Sequence, residues 1–179
     1  MENLSDEILM MNVRNGKLED LSVIFDRYNL PLFNFFLRMG AQREISEDLT
    51  QNLFFRILKY RASYREGESV RSWIYQIARN LYNNQYNEQR KHNSTLVITD
   101  TFSVDVHDDE EAFGEDDYKR LDEALLLLDA DERELLVLSR FQGLKYNEIS
   151  LIADKSVPAI KVGIFRALKK LRVHYFKQV

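Results

Sequence analysis

The sequence predicts an all-α protein with two small helical domains, an N-terminal helical bundle and a C-terminal helix-turn-helix bundle, joined by an acidic flexible linker. Apolar residues recur at spacings of three and four along most of the 179-residue chain. Only 2 prolines and 6 glycines are present, which is too few for a turn-rich β fold. The helical period stops once, over residues 92–117, where nine acidic residues stand without a lysine or arginine. We therefore predict domains over residues 1–91 and 118–179, with the linker between them.

Three helices are predicted in the N-terminal domain from their apolar stripes. The first lies within residues 18–39 and is expected to break or kink at Pro31, because proline has no N–H for the helical ladder. The second runs from about residue 45 to 60, and the third from about residue 70 to 90.

Helices return after the linker, and the last two form a compact pair within residues 143–172. Their predicted ranges are about 146–153 and 156–172, separated by a three-residue turn. Ser156 is a favourable N-cap, and Pro158 lies in the first turn, where its missing N–H is not needed. The stripe expected to be buried in the second helix consists of Val157, Ile160, Ile164, Leu168 and Leu171.

Composition excludes several classes of function. The absence of cysteine removes disulfides and thiolate metal sites, and it fits a cytoplasmic protein. No run of residues is long and apolar enough to insert into a membrane, and the N-terminus does not resemble a signal peptide. The histidines are scattered, no glycine-rich phosphate loop is present, and the acids of the linker have no rigid geometry. We expect no catalytic residue, no cofactor and no metal.

The second helix of the pair has the composition of a DNA-recognition helix. Residues 145–179 carry 8 basic and 2 acidic side chains, and a basic outer face suits the major groove of DNA. The alternative is an ordinary solvated helical hairpin. For Val162 and Phe165 two interpretations stay open, contact with thymine methyl groups or packing on a neighbouring helix.

Aromatic residues interleave with basic ones over residues 56–91. That mixture is typical of surfaces that bind single strands, where bases stack on rings while cations contact phosphates. The alternative is that these rings, Trp73 and Tyr75 above all, belong to the core of a helical bundle. The six rings are Tyr60, Tyr64, Trp73, Tyr75, Tyr82 and Tyr86.

Two segments carry a recognisable series of motifs. The first is DLTQNLFFRILKY, continued by YREGESVRSWIYQIARNLYNNQYNEQRK, and the second is GLKYNEISLIADKSVPAIKVGIFRALKKLR. They resemble the second and fourth regions of bacterial RNA polymerase sigma factors of the extracytoplasmic-function (ECF) group. The resemblance implies a protein that binds core RNA polymerase and directs it to promoter DNA. The polymerase-binding residues that it implies are Asp48, Leu49, Gln51, Asn52, Phe54, Phe55 and Arg56.

The resemblance also implies two DNA-binding sites and a role for the linker. The loop 64–69 and the helix after it would melt the minus-ten element and bind its single-stranded non-template strand through Ser69, Trp73, Tyr75, Arg79, Asn80 and Asn83. The fourth region would contact the minus-thirty-five duplex through Ala159, Lys161, Val162, Phe165, Arg166 and Lys169. The acidic linker would thread polymerase channels, where its carboxylates mimic a phosphate chain.

One position departs from the family pattern, and two further questions stay open. The family usually has a polar residue and then an arginine after the lysine of the recognition helix, whereas this chain has Val162 and Gly163. An anti-sigma factor is a further candidate partner. The alternative function is a two-domain helix-turn-helix regulator that acts without docking on polymerase.

Overall fold

A computed structural model describes residues 4–92 and 114–177 of the chain. Over these ranges it contains eight α-helices and no strand, which confirms the predicted all-α class. Most of the predicted linker, residues 93–113, lies outside the described residues. Contacts divide the chain into two compact units, Met1–Phe33 with Glu44–Leu96 and Asn34–Arg43 with Val97–Val179. In the described parts, no helix combines the length and the apolarity that crossing a membrane requires.

Four helices precede the linker. Short 3-10 turns at Leu18–Asp20 and Arg61–Ser63 lead into the second helix and follow the third. The helices are α1 (Asp6–Arg14), α2 (Leu21–Met39), α3 (Arg43–Tyr60) and α4 (Val70–His92).

Helix α1 was not among the sequence predictions. The Ser5 side chain caps it by accepting a hydrogen bond from the Ile8 N–H at 3.4 Å, and two acidic residues follow in the first turn. Asp6 accepts hydrogen bonds from Arg27 and from the Tyr28 hydroxyl, which attach α1 to α2. A serine followed by two acids and an apolar run is a recognisable start signal, and it stood in the sequence.

The predicted break at Pro31 is wrong, because α2 continues through it from Leu21 to Met39. Proline removes one N–H from the helical hydrogen-bond ladder. Three residues that follow it in α2 are fully buried, namely Leu32, Phe35 and Phe36. Their packing outweighs the lost bond. The helix ends at Gly40, whose φ of 106° is a conformation that glycine adopts without strain.

Four helices follow the linker. Arg133 closes the end of the first of them, because its guanidinium donates hydrogen bonds to the carbonyls of Leu125, Leu126 and Leu128 at 2.8–3.1 Å. The helices are α5 (Glu115–Leu126), α6 (Ala130–Leu136), which continues as a π-helical turn over Val137–Phe141, α7 (Tyr146–Ala153) and α8 (Val157–Lys177).

The turn between α7 and α8 has the predicted helix-turn-helix form. Asp154 adopts the left-handed conformation that ends α7, with φ 52°. The Ser150 hydroxyl donates to the Lys155 carbonyl at 2.6 Å, and the Ser156 hydroxyl accepts from the Ala159 N–H at 3.3 Å. Helix α8 therefore starts at the predicted cap, but it continues to Lys177 rather than ending near residue 172.

The buried stripe of α8 differs from the predicted one at two positions. Ile160, Ile164, Ala167 and Leu171 are buried, whereas Leu168 is 37% exposed and Val157 is half-buried. Ile164 and Leu171 are seven residues apart, so Ala167 and Leu168 both fit the helical spacing between them. The structure buries Ala167 and leaves Leu168 at the edge of the exposed side.

Candidate nucleic-acid and polymerase interfaces

The side of α8 opposite its buried stripe forms a mixed apolar and basic surface, which we call the outer face of α8. Phe165 is 70% exposed and Val162 is 49% exposed. This exposure favours contact with a partner over packing on a neighbouring helix. The face consists of Pro158, Ala159, Lys161, Val162, Phe165, Arg166 and Lys169, all of them exposed.

The basic residues near α8 divide into two sets. Lys170 pairs with Asp129 at 3.3 Å and Glu132 at 2.8 Å, and Lys155 pairs with Asp131 at 2.8 Å. Hydrogen bonds to Glu132 and Asp129 raise the pKa of Lys170. In the described part of the chain, no ion pair involves the three basic residues of the outer face, Lys161, Arg166 and Lys169. Their charge is available to a polyanion such as DNA.

Gly163 lies beside α6 and not on the outer face. A Cβ built at this position would stand 2.5 Å from Cδ1 of Leu135, which is itself buried. Real Cβ atoms do not approach so closely, so glycine permits the close packing of α8 on α6. The missing family arginine at this position therefore reflects the contact with α6, and an arginine side chain could not extend from here without displacing Leu135.

Three of the six interleaved rings of the N-terminal unit belong to its core. Tyr64, Trp73 and Tyr75 are 0%, 7% and 1% exposed, and Tyr64 and Trp73 meet edge to face at 5.5 Å. A ring enclosed in this way has no free face on which a base could stack. The structure therefore corrects the expectation that Trp73 and Tyr75 offer surface rings to single-stranded DNA, and it favours the core interpretation.

The buried ring of Tyr64 holds the loop before α4 in a defined conformation. Burial raises the pKa of Tyr64 to about 12, so its hydroxyl stays protonated and donates to the Glu68 carbonyl at 2.6 Å. Gly67 supplies the positive φ of 84° that the turn requires. Ser69 ends the loop and caps α4, because its Oγ accepts from the Ser72 N–H at 3.2 Å. The predicted site residue Ser69 thus has a structural role of its own.

The exposed part of α4 presents amides along one side and two rings along another. Asn80 is exposed and Asn83 is half-buried, with Asn84 and Asn87 continuing the amide stripe. Arg79 is half-buried. On a neighbouring side the rings of Tyr82 and Tyr86 stack with centroids 6.2 Å apart, and the Arg90 guanidinium lies 5.9 Å from the Tyr86 ring.

The sequence analysis named Tyr82 and Tyr86 among the interleaved rings, but it did not join them with Arg90 into this Tyr82–Tyr86–Arg90 ladder. The predicted minus-ten residues included Trp73 and Tyr75 instead of these rings. The spacing of four residues places the ladder residues on one side of the helix, which is a signal that the sequence contained. Tyr86 is 38% exposed, so its ring is accessible where those of Trp73 and Tyr75 are not.

Helix α3 presents a narrow exposed face that contains most of the predicted polymerase-binding residues. Asp48, Gln51, Asn52 and Phe55 lie on this face at helical spacing, and Phe55 is 72% exposed. Arg56 is half-buried and donates to the Asn52 side-chain oxygen at 3.4 Å.

Two of the predicted docking residues on α3 point into the core instead. Leu49 and Phe54 are 4% and 8% exposed, and the Phe54 ring contacts Phe25 at 4.7 Å. A partner could not reach either side chain on the surface, because α3 packs through them against its own unit. They hold the exposed face in place. The described residues contain no cluster of three or more histidine, aspartate or glutamate side chains that could hold a metal ion.

Comparison with known proteins gives two family matches, one before the linker and one after it. The family model of sigma-70 region 2 matches residues 24–92, and that of sigma-70 region 4 matches residues 118–171. The RNA polymerase sigma factor YlaC of Bacillus subtilis is 28% identical over 163 residues, which cover 89% of this chain and 92% of YlaC. The ECF RNA polymerase sigma factor SigX of the same organism is 26% identical, covering 87% of this chain and 84% of SigX.

A solved structure has the same fold. The sigma factor RpoE, crystallised with the anti-sigma factor NepR from Bartonella quintana, superposes with a TM-score of 0.75 at 19% sequence identity. The alignment covers 87% of this chain and 96% of RpoE.

The fold and the surfaces define a transcription factor with a helix-turn-helix and a second helical region. Both family models match in the order that sigma factors have, and the relatives are similar over nearly their whole length. The chain belongs to the sigma-70 family, in the ECF group of RNA polymerase sigma factors. It binds core RNA polymerase and directs it to promoters, and the alternative of a regulator that acts without polymerase is not favoured.

Proposed function

We propose that the two predicted domains divide promoter recognition between them. Residues 1–91 dock on core polymerase and open the minus-ten element, residues 118–179 bind the minus-thirty-five duplex, and residues 92–117 connect the two. The observation that carries this division is the outer face of α8. Its three basic residues, which form no ion pair within residues 4–92 and 114–177, lie beside exposed apolar side chains. A basic recognition helix with this exposure suits duplex DNA.

The docking surface on core polymerase is the exposed face of α3, with Phe55 as its anchor. An aromatic ring that is 72% exposed gains most from burial in a partner, and aromatic anchors dominate the energy of protein interfaces. Asp48, Gln51 and Asn52 surround Phe55 and supply the polar rim.

Phe55→Ala tests the docking surface. We expect it to weaken the complex with core polymerase roughly 30-fold, the size typical of a hot-spot residue, without unfolding the chain. Tyr60→Ala is the matched control, because Tyr60 is an exposed aromatic on a different side of the same helix. Equal affinities of both variants, measured by titration of labelled chain with core polymerase, would refute the role of Phe55.

The minus-ten surface comprises the fixed loop before α4 and the amides that follow it. A side-chain amide offers one donor group and one acceptor, so Asn80 can pair with the edge of an unstacked base. Ser69, Arg79 and Asn83 border the same helix. For Trp73 and Tyr75 we propose an indirect part, in which the buried rings fix the position of the helix that presents the amides.

The chain performs binding work, and polymerase performs the chemistry of transcription. We infer that it acts in the cytoplasm, where its polymerase and promoter partners are found. We further infer that an anti-sigma protein holds the free chain inactive, by analogy with RpoE, which was crystallised with one. Loss of transcription on adding a candidate anti-sigma protein, restored by excess chain, would support this regulation.

The experiment that tests the proposed function as a whole is promoter binding with and without core polymerase. We expect specific complexes and run-off transcripts only when both the chain and core polymerase are present. Specific binding of duplex DNA by the chain alone, unchanged by polymerase, would contradict the proposal. It would favour a helix-turn-helix regulator that acts without polymerase.

A further inference from the structure

The centre of the outer face of α8 is apolar in its first half. Pro158, Val162 and Phe165 are spaced by four and three residues, so they lie on one side of the helix. The buried residues Ile160 and Ile164 lie on the opposite side. An exposed phenylalanine beside an exposed valine is an unfavourable surface unless it meets an apolar group.

The charge around this apolar centre points to DNA as what covers it. Lys161 lies at one side of the helix and Arg166 at the other, both exposed and without an ion pair in the described part of the chain. Lys169 extends the basic residues by one turn, and α8 contains no acidic residue. A groove on a protein would need acidic groups on both of its sides to match these basic residues. The major groove of DNA has negatively charged phosphates along both of its borders.

The base edges in the major groove include one apolar group. Guanine, cytosine and adenine present hydrogen-bond donors and acceptors there, while thymine adds its C5-methyl group. Val162 and Phe165 have no side-chain hydrogen-bond donor or acceptor. They cannot form hydrogen bonds with polar base edges, and they would leave the donors and acceptors of such edges without a partner. Contact with a thymine methyl is the favourable pairing for both side chains.

The helix also places the two side chains at a suitable separation. Three residues of an α-helix span about 4.5 Å, close to the roughly 3.4 Å between successive bases of one strand. Residues in the first half of a recognition helix are the ones that reach base edges. Gly163, between them, allows α8 to lie close against α6, which fixes the side that faces outward.

We propose that this sigma factor recognises two neighbouring thymines in its upstream promoter element through their C5-methyl groups, with Phe165 and Val162 as the specificity-determining residues. The proposal rests on the proposed function of the C-terminal unit. It specifies the target of α8 as a pair of apolar methyl groups flanked by phosphates. This helix differs from the usual family pattern at the two positions after Lys161.

The test begins with the unmodified chain assembled with core polymerase. Promoter duplexes are selected from a pool with a randomised upstream element, and each thymine of the selected element is replaced singly by deoxyuridine, which lacks only the C5-methyl group. We expect about fourfold weaker binding at two neighbouring positions, the loss appropriate to one buried methyl each, and no change elsewhere. Equal affinity for thymine and deoxyuridine at every position would overturn the proposal.

Variants then assign each methyl to a residue. Phe165→Ala is expected to abolish the thymine preference at one of the two positions, and Val162→Ala at the other. The matched control is Lys169→Ala, which should weaken binding of thymine and deoxyuridine duplexes equally and lower the salt dependence of binding. Full thymine preference in Phe165→Ala, or loss of a protein partner with promoter binding unchanged, would overturn the assignment.

Failure of this proposal is distinguishable from failure of the proposed function. A holoenzyme that selects and transcribes a promoter but ignores the methyl groups keeps its function and refutes the thymine contact. A chain that selects no promoter with core polymerase contradicts both.

Discussion

Helices α4 and α8 are similar in composition, but their aromatic rings point in opposite directions. Each begins at a serine cap and carries basic and aromatic residues, yet Trp73 and Tyr75 of α4 are buried while Phe165 of α8 is 70% exposed. The first half of α4 is packed on most of its sides, whereas α8 buries a single stripe. Aromatic residues beside basic ones therefore indicate a nucleic-acid surface only where the helix leaves that side open.

The largest expected effect on the free energy of unfolding comes from Trp73→Ala, with Phe165→Ala as its counterpart on α8. Trp73→Ala should cost roughly 3–5 kcal/mol, because it removes a large side chain from a packed core. Phe165→Ala should change stability by no more than about 0.5 kcal/mol, since most of its ring is in solvent. Urea denaturation followed by helical circular dichroism measures both, with Trp73→Phe as the control that keeps an aromatic ring. Similar costs for the two alanine variants would contradict the comparison.

A smaller effect is expected at Gly163, where α8 meets α6. Glycine to alanine usually stabilises an open helix by about 1 kcal/mol. Here the new Cβ would stand 2.5 Å from Leu135, so we expect Gly163→Ala to destabilise the unit by roughly 1 kcal/mol instead.

A double-mutant cycle isolates the cause of that effect. In a Leu135→Ala background the clash is removed, and Gly163→Ala should become neutral or stabilising. Strict additivity of the two changes in unfolding free energy would show that the close contact with α6 is not what requires glycine.

The two serine caps should contribute similar stability to α4 and α8. Ser69→Ala and Ser156→Ala each lose one side-chain acceptor at a helix N-terminus, which costs typically about 1 kcal/mol. Replacement by aspartate should retain the cap in both. If Ser69→Asp restores stability while promoter opening stays impaired, Ser69 contacts DNA as well as capping α4. Normal opening by this variant would limit Ser69 to the cap.

The smallest effect on stability is expected at Tyr86, because α4 exposes an aromatic ring there, as α8 does at Phe165. Its ring is 38% exposed, so Tyr86→Ala should change the free energy of unfolding by no more than about 0.5 kcal/mol. If a base stacks on this ring, the holoenzyme should bind a promoter with an unpaired non-template strand less tightly by roughly 1–3 kcal/mol. Gln89→Ala, at an exposed neighbouring position, is the control. Equal binding by both variants would remove Tyr86 from the single-strand surface.

The helical class, the family and the helix-turn-helix were predictable because their signals are local. Ser156 caps α8 as predicted, and Pro158 lies in its first turn, where proline is tolerated. Such signals depend on a few consecutive residues and the backbone groups next to them, so tertiary packing seldom changes them.

The sequence alone did not predict which side of each helix is buried in the core. Trp73 and Phe165 both stand near basic residues, and their opposite burial depends on packing that the local pattern does not show. The continuity of α2 through Pro31 has the same origin, since the packing of its neighbours outweighs a local rule. The exchange of Leu168 for Ala167 in the buried stripe has the same origin, because both positions fit the helical spacing and only packing decides between them.

The most direct test of the opposite orientation of the rings uses a single tryptophan. Trp73 is the only tryptophan in the chain, and Phe165→Trp in a Trp73→Phe background moves that probe to α8. Acrylamide quenching of the free chains should be weak for tryptophan at position 73 and strong at position 165, where promoter duplex added with core polymerase should then protect it. Quenching at position 73 as strong as in the urea-unfolded chain, or weak quenching at position 165 in the free chain, would contradict the account.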